Sequence, residues 1–298
     1  MKEAEAYRKR KRPEKRSGVK IYYFSGTGNT LWSAKKIAGY LDQSQNPAGF
    51  EESFEGNSDP AAAKPVRAEL CSIGKLMRQA PAPIEADRVV FMFPSYAYQM
   101  PLLVRRFIIR SEIRSPYIAA LVTYGSDPGG TLAELYRILK RKNLSLSFSG
   151  RIPSVENYIP IFGPPGEETK RKRLLLQDHA TEEAARAIRA GKTNSPWRIR
   201  PLSVFVSSLF RLGLKKNVFV KGFKLNAACN GCGLCGRICP GNAIVMEKGK
   251  PVFTEGCEQC QACLNWCPRR SISFLRFRGD TEPYHHPGVR VEEMLAGP

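Results

Sequence analysis

Histidine is scarce in this chain and acids are few: 3 His, and 27 Asp and Glu against 47 Lys and Arg in 298 residues. His179 falls in a helical stretch and His285 and His286 in a proline-rich tail, so all three read as structural or solvated, and no acid–base pair marks a dedicated catalytic site. No apolar run reaches the 18 residues a membrane span needs, and the charged first residues lack the apolar core of a secretion signal. The G-x4-G-K-[ST] phosphate loop and the G-x-G-x-x-G dinucleotide fingerprint are both absent, which removes the two commonest nucleotide sites. Outside one dense cluster there is a lone cysteine, Cys71, which reads as a small buried apolar residue rather than a reactive thiol. Clustered cysteines without a secretion signal point to a reducing, cytoplasmic location.

What is present is a globular composition, 42% hydrophobic, with length for about two domains. The net charge of +20 is concentrated locally. Arg8 to Arg16 holds seven basic residues and one Glu, and reads as part of a disordered, solvated tail over residues 1–17; such tails also bind nucleic acid. Trp197 to Lys224 holds seven basic residues and no acid. Within it Leu202, Phe205, Val206, Leu209 and Leu212 fall at helical spacing, either packing one domain on another or lying on a membrane surface.

Eight of the 9 cysteines form two copies of C-x2-C-x2-C-x3-C-P: Cys229, Cys232, Cys235 and Cys239 before Pro240, then Cys257, Cys260, Cys263 and Cys267 before Pro268. Every cysteine of the second copy lies 28 residues after its counterpart, so this is a tandem repeat. Thiolates in fours select zinc or iron–sulfur clusters, and the third closely spaced Cys followed by Cys-Pro argues for iron–sulfur, because zinc sites use separated pairs. A disulfide knuckle competes poorly with that spacing in a reducing compartment. Glycines at 231, 233 and 236 suit a loop that wraps tightly and turns its N–H groups toward sulfur. The second copy has Glu258, Gln259 and Gln261 there and is less pre-adapted. Each copy continues with a small residue and Ile (Ala243-Ile244, Ser271-Ile272), as expected where a loop ends in a short strand under a cluster. The stretch from about Phe223 to Phe277 resembles a bacterial dicluster ferredoxin. That resemblance implies two [4Fe–4S] clusters with crossed ligand sets: Cys229, Cys232, Cys235 and Cys267 for one, and Cys257, Cys260, Cys263 and Cys239 for the other.

A second motif lies near the N-terminus. Val19 to Phe24 is a β-branched and aromatic run, Ser25-Gly26-Thr27-Gly28-Asn29-Thr30 a glycine and hydroxyl loop, and Leu31 to Ala38 a helical stretch. A loop opening a helix at the end of a strand presents free N–H groups and a positive dipole to a phosphate. Without a lysine it suits a phosphomonoester. From Ile21 to Ala34 these residues resemble the phosphate loop of flavodoxins. The resemblance implies an α/β, doubly wound parallel sheet of order 2-1-3-4-5 with FMN at the switch point between strands 1 and 3. Arg88 to Phe93 is apolar enough for a central strand and ends at Pro94-Ser95-Tyr96-Ala97-Tyr98, where the resemblance makes Tyr96 and Tyr98 candidates to stack on or edge the ring. Pro101 opens a helix to Arg110. A strand from Tyr117 ends at Thr123-Tyr124-Gly125, and the turn through Gly129-Gly130 precedes a helix over Thr131 to Lys140; the resemblance implies N–H groups here for the flavin's pyrimidine side. Asn157 to Pro160 reads either as a flap over the site or as an ordinary loop. Glu167 to Ala190 reads as a long helix with Leu174 to Leu176 as its core patch and Gly191 as its stop.

The combination resembles flavodoxin–ferredoxin fusion proteins. The expected organisation is a basic tail (1–17), a flavodoxin-like FMN domain (18–192), a basic linker (193–218), a small α+β ferredoxin domain carrying two [4Fe–4S] clusters (219–278), and a C-terminal tail (279–298). The expected function is electron transfer between FMN, the clusters and acidic redox partners. Arg105 and Arg106 are candidates to favour an anionic reduced flavin. One rival is an FMN-dependent quinone or small-molecule reductase fed by the clusters. The other is an iron–sulfur sensor that binds nucleic acid, for which no nucleic-acid-binding motif is recognisable.

Overall fold

In the computed structural model, which describes residues 18–42, 66–194 and 220–296, the apolar runs become the strands of one sheet. These are β1 (Val19–Tyr23), β2 (Ala68–Ser72), β3 (Arg88–Pro94), β4 (Tyr117–Tyr124) and β5 (Phe148–Pro153), all parallel, in the order 2-1-3-4-5. That order is the flavodoxin-like doubly wound arrangement. In β3, residues 89 to 93 are wholly buried, and in β4 Ile118 to Val122 are at most 1% exposed. A strand covered on both faces needs an unbroken apolar run rather than an alternating one, which is what these two segments carry.

Helices α1 (Asn29–Leu41), α2 (Ile73–Leu76), α3 (Leu102–Arg110), α4 (Thr131–Arg141), α5 (Ile159–Phe162) and α6 (Glu167–Arg189) complete this part. α1 lies beside α6, and α3 beside α4. Tyr22 of β1 meets Phe107 of α3 with ring centroids 5.5 Å apart. One expectation fails on α6: Leu175 and Leu176 are 67% and 43% exposed. The buried face is instead Gln177, Thr181, Ala184, Ala185 and Ile188, of which all but Ile188 are small or polar and let α6 lie close on α1. Gln177 Nε2 donates to the Asn29 carbonyl (2.8 Å) and Ser33 Oγ (3.1 Å), so this contact is polar where leucines would give only area. The helix stops at Gly191, whose φ of +62° suits glycine.

The C-terminal unit is small and irregular. β6 (Lys224–Leu225) pairs antiparallel with β9 (Ile272–Ser273), and β7 (Ile244–Glu247) with β8 (Lys250–Phe253). The β7–β8 turn holds Lys248 and Gly249 at φ +46° and +73°, the left-handed pair a two-residue hairpin turn needs. Phe223 stacks between Phe253 (4.4 Å) and Phe274 (4.5 Å). Both isoleucines after the Cys-Pro motifs, Ile244 and Ile272, are buried and open strands. Helices α7 (Leu234–Ile238) and α8 (Ala262–Asn265) follow the two cysteine loops, and α9 (Val291–Ala296) closes the chain. The basic tail and the linker's apolar stripe lie outside the described residues.

Candidate cofactor sites

The loop from Ser25 to Thr30 joins β1 to α1 at the carboxyl edge of the sheet. Gly28 sits at φ +96°, and Ser25 Oγ accepts from its N–H (3.1 Å), which folds the loop over the start of α1. Among the described residues, the N–H groups of Gly26, Thr27, Asn29 and Thr30 have no hydrogen-bond partner. They are free donors at a helix start, as phosphate binding requires. The side chains are fixed from behind: Thr30 Oγ1 meets Thr123 Oγ1 (2.7 Å), Asn157 Nδ2 donates to Thr27 Oγ1 (2.6 Å), and Asn29 Nδ2 donates to the Val155 carbonyl (3.0 Å).

This loop is one wall of a cleft of about 330 Å³ of free space, open at its mouth. Of the residues proposed from sequence, Ser25, Gly26, Thr27, Asn29, Thr30, Pro94, Ser95, Tyr96, Thr123, Tyr124 and Gly125 line it. Gly28 shapes the loop without lining the cleft. Tyr98, Gly129 and Gly130 are not among its lining residues; Tyr98 packs on Gly129 and its carbonyl accepts from Gly130 N–H (3.2 Å). Ser95 Oγ also donates to the Pro128 carbonyl (3.0 Å), so these two loops are tied together. Arg105 is not in the cleft; it pairs with Glu134 (3.1 Å). The segment Ser154 to Asn157 supplies a further wall, of which the sequence signalled only Asn157.

Tyr96 is partly exposed, but its hydroxyl is fully buried and, among the described residues, has no hydrogen-bond partner. Burial pushes its hydroxyl well above the usual phenol range, so it stays protonated. Its ring meets Phe24 edge-on (6.1 Å).

The eight cysteines of the repeat line two further pockets. Cys229, Cys232, Cys235 and Cys267 border one, and Cys239, Cys257, Cys260 and Cys263 the other. These are the crossed sets, since the fourth cysteine of each copy sits with the first three of the other. Among the described residues no three His, Cys, Asp or Glu side chains converge as they would round a single metal ion. Burial pushes the Cys235 and Cys257 thiols up to about 11 and those of Cys260 and Cys263 well above the ordinary value. At Cys235, Cys257 and Cys260 the backbone N–H groups of Gly236, Gln259 and Ala262 oppose this, and the Cys239 and Cys267 sulfurs accept from Ala243 N–H (3.3 Å) and Ser271 N–H (3.5 Å). Buried thiols that resist ionisation but are offered N–H donors are suited to a cationic partner, which replaces the proton.

The second cysteine loop sits directly on the first site. Gly26 has no room for a side chain, because an added Cβ would collide with the Cys260 carbonyl oxygen. Trp266 Nε1 donates to the Gly26 carbonyl (3.1 Å), and Tyr158 Oη bonds Gln259 Oε1 (3.2 Å). Glu258 accepts from the N–H groups of Leu102 and Leu103 at the start of α3, although burial pushes its carboxyl up to about 7. The C-terminal tail completes the seal. Tyr284 Oη donates to Asn29 Oδ1 (2.7 Å), His286 N–H to the Thr27 carbonyl (2.8 Å), and His286 stacks on Trp32 (4.7 Å). His285 stacks on Trp266 (4.2 Å), whereas His179 lies exposed on α6. Nothing in the sequence marked the tail as a partner of the phosphate loop.

No protein-family model and no curated protein matches the chain. Among solved structures, the chain is similar to an azoreductase from Bacillus anthracis str. Sterne (10% identity, 58% of this chain and 99% of that one, TM-score 0.38). It is similar to the two-electron reduced Megasphaera elsdenii flavodoxin (13% identity, 55% and 98%, TM-score 0.30). It is also similar to rubredoxin oxygen:oxidoreductase from the anaerobe Desulfovibrio gigas (12% identity, 59% of this chain, TM-score 0.32), of whose length the match spans 38%. Among the described residues no helix is long and apolar enough to cross a membrane.

Proposed function

We propose that the chain is an electron-transfer oxidoreductase that holds FMN in the cleft and a [4Fe–4S] cluster in each cysteine-lined pocket. When bound, FMN exchanges electrons in pairs or singly and each cluster carries one at a time, so together they link two-electron and one-electron partners. The observation that carries this reading is the seating of the second cysteine loop on the phosphate loop, through the Cys260 carbonyl against Gly26 and Trp266 Nε1 on the Gly26 carbonyl. Domains joined only for convenience have no reason to share that surface.

The residues suit the groups. Four N–H groups without a partner among the described residues and the Thr27 and Thr30 hydroxyls receive the phosphate, while the partly exposed Tyr96 ring, its hydroxyl buried beside Gly26, borders the rest of the flavin. The eight cysteines supply four thiolates per pocket, and the Cys239 and Cys267 sulfurs already accept N–H bonds of the kind that tune cluster potentials. Exposed Cys232, with the exposed cations Lys248, Lys250, Arg269 and Arg270 in the neighbouring turns, suits an acidic redox partner in the cytoplasm. A second reading, direct reduction of a quinone or other small molecule, is favoured only by the open mouth of the cleft beside Ser95 and Tyr96.

The test is to purify the chain anaerobically, count iron, sulfide and flavin, and record its EPR spectrum on reductive titration. Two cubane signals and one FMN per chain are expected. Zinc in place of iron, or a preparation without flavin, overturns the proposal. Steady turnover of quinones without a protein partner would shift it to the second reading.

A further inference from the structure

The cleft holds a carboxylate that neither the phosphate loop nor the ring loops explain. Glu156 follows β5 and is the one acidic residue lining the cleft among the described residues. Its Oε1 accepts from the N–H groups of Asn157 and Tyr158, each at 3.0 Å, so the carboxylate is held in one orientation. Its Oε2 lies against Gly125, where an added Cβ would collide with it. Gly125 is therefore the seat of this side chain. The next residue, Asn157, is bonded to Thr27 of the phosphate loop. A fixed acceptor thus stands between the phosphate-loop wall and the Gly125 wall.

A bare carboxylate beside an anion-binding loop costs affinity unless the occupant meets it with donors. The phosphate of a flavin nucleotide is mostly dianionic at neutral pH, and the pyrimidine edge of the ring offers one donor, N3–H, between two carbonyls. The hydroxyl-bearing chain between them is made of donors. We propose that Glu156 is a ligand-binding residue that accepts hydrogen bonds from the ribityl hydroxyls of the flavin. This rests on the FMN reading and deepens it. One wall of the cleft then selects an anion and another a polyol, so that neither inorganic phosphate nor a bare ring satisfies both.

The experiment uses the full chain, titrated with FMN, riboflavin and lumiflavin by quenching of flavin fluorescence. Glu156→Gln keeps an oxygen for the Asn157 and Tyr158 N–H groups but turns a donor toward the cleft. FMN and riboflavin are expected to weaken about ten- to a hundred-fold, the range of a hydrogen bond to a charged group, while lumiflavin, which lacks the hydroxyl chain, is unchanged. Gly125→Ala, whose added Cβ displaces the Glu156 carboxylate from its seat while leaving the glutamate itself in place, should reproduce the pattern. If Glu156→Gln binds FMN as tightly as wild type or more tightly, the carboxylate is merely repulsive and the inference fails. Equal weakening of lumiflavin would place the carboxylate on the ring and also overturn it. Wild-type protein that binds none of the three flavins sinks the FMN reading itself, a result separable from both.

Discussion

The two cysteine loops share one backbone shape and differ in what surrounds them. Gly231 and Gly233 of the first loop sit at φ +73° and +72°, and their counterparts Gln259 and Gln261 at +53° and +63°. Asn242 and Arg270, a third equivalent pair, sit at +53° and +46°. A left-handed residue with a side chain costs roughly 1–2 kcal/mol relative to glycine. The second loop bears that cost because its side chains form contacts that glycine cannot make. Gln261 Nε2 donates to the Gln259 carbonyl (3.0 Å), and Gln259 Oε1 meets Tyr158 Oη (3.2 Å). Gln259 and Gln261 are 7% and 3% exposed, whereas Cys232 in the first loop is exposed. A repeat that is symmetric in spacing has become asymmetric in surroundings, with one loop facing solvent and one buried against the cleft at the β1–α1 loop.

Breaking one ligand in each loop separates the roles most sharply. Cys232→Ser and Cys260→Ser are each expected to lose about half of the iron by direct assay. Cys260→Ser should also weaken flavin binding, because its loop lies on Gly26, and Cys232→Ser should not. Equal flavin affinity in the two variants would refute the asymmetry.

Steric probes come next. Gly26→Ala drives a methyl into the Cys260 carbonyl, and Gly231→Ala drives one into the Gly249 carbonyl at a left-handed φ. Each is expected to cost about 1–3 kcal/mol or more. The difference lies in where hydrogen exchange accelerates: across residues 256–266 and the phosphate loop for Gly26→Ala, and only in the 228–250 region for Gly231→Ala.

The tail that seals the buried side should respond to pH. Burial lowers His286 to about 4, with Lys35, Lys36 and His285 acting in the same direction and Asp178 against them. The folded state therefore holds this proton more weakly than an unfolded chain with His near 6.5. The docking it supports is fully present above about pH 6.5 and is lost as pH falls toward 4, an effect on the order of 3 kcal/mol at the acid limit. Exchange protection of α9 is expected to fall between pH 7 and 5 in wild type and to hold in His286→Phe. A pH-independent wild type would remove His286 from that role.

The smallest effects refine the loop comparison itself. Gly233→Ala, with open space around the added methyl, should cost about 1–2 kcal/mol from backbone strain alone. Gln261→Gly should come out nearly neutral, relieving that strain while losing one hydrogen bond. Tyr158→Phe removes the hydroxyl that holds Gln259 and should cost about 1 kcal/mol, read as a melting shift.

Much of the first site could be read from the chain because its signals are local. The strand, glycine loop and helix from Val19 to Leu41 are contiguous, and the apolar runs of β3 and β4 announce buried parallel strands. The wall made by Ser154 to Glu156 was not legible, since nothing local distinguishes a cleft-lining Glu from a surface one. Leu175 and Leu176 misled for a related reason, whereas Leu174 does pack on the core: the face a helix buries depends on its neighbour, and α1 presents Asn29 and Ser33 rather than an apolar groove.

By itself the sequence determined the apolar runs of β1, β3 and β4, the glycine and hydroxyl loop after β1 and the pairing of eight cysteines into a repeat of constant spacing, because hydrophobic period, glycine placement and ligand spacing act over a few residues; the sheet order was implied only by the resemblance to flavodoxins. Only the tertiary structure decided which cysteine loop lies on the cleft, that Glu156 faces into it, and that Tyr284 and His286 brace the phosphate loop from 255 residues and more along the chain. Those contacts depend on shape and burial between distant segments, and no local pattern encodes them.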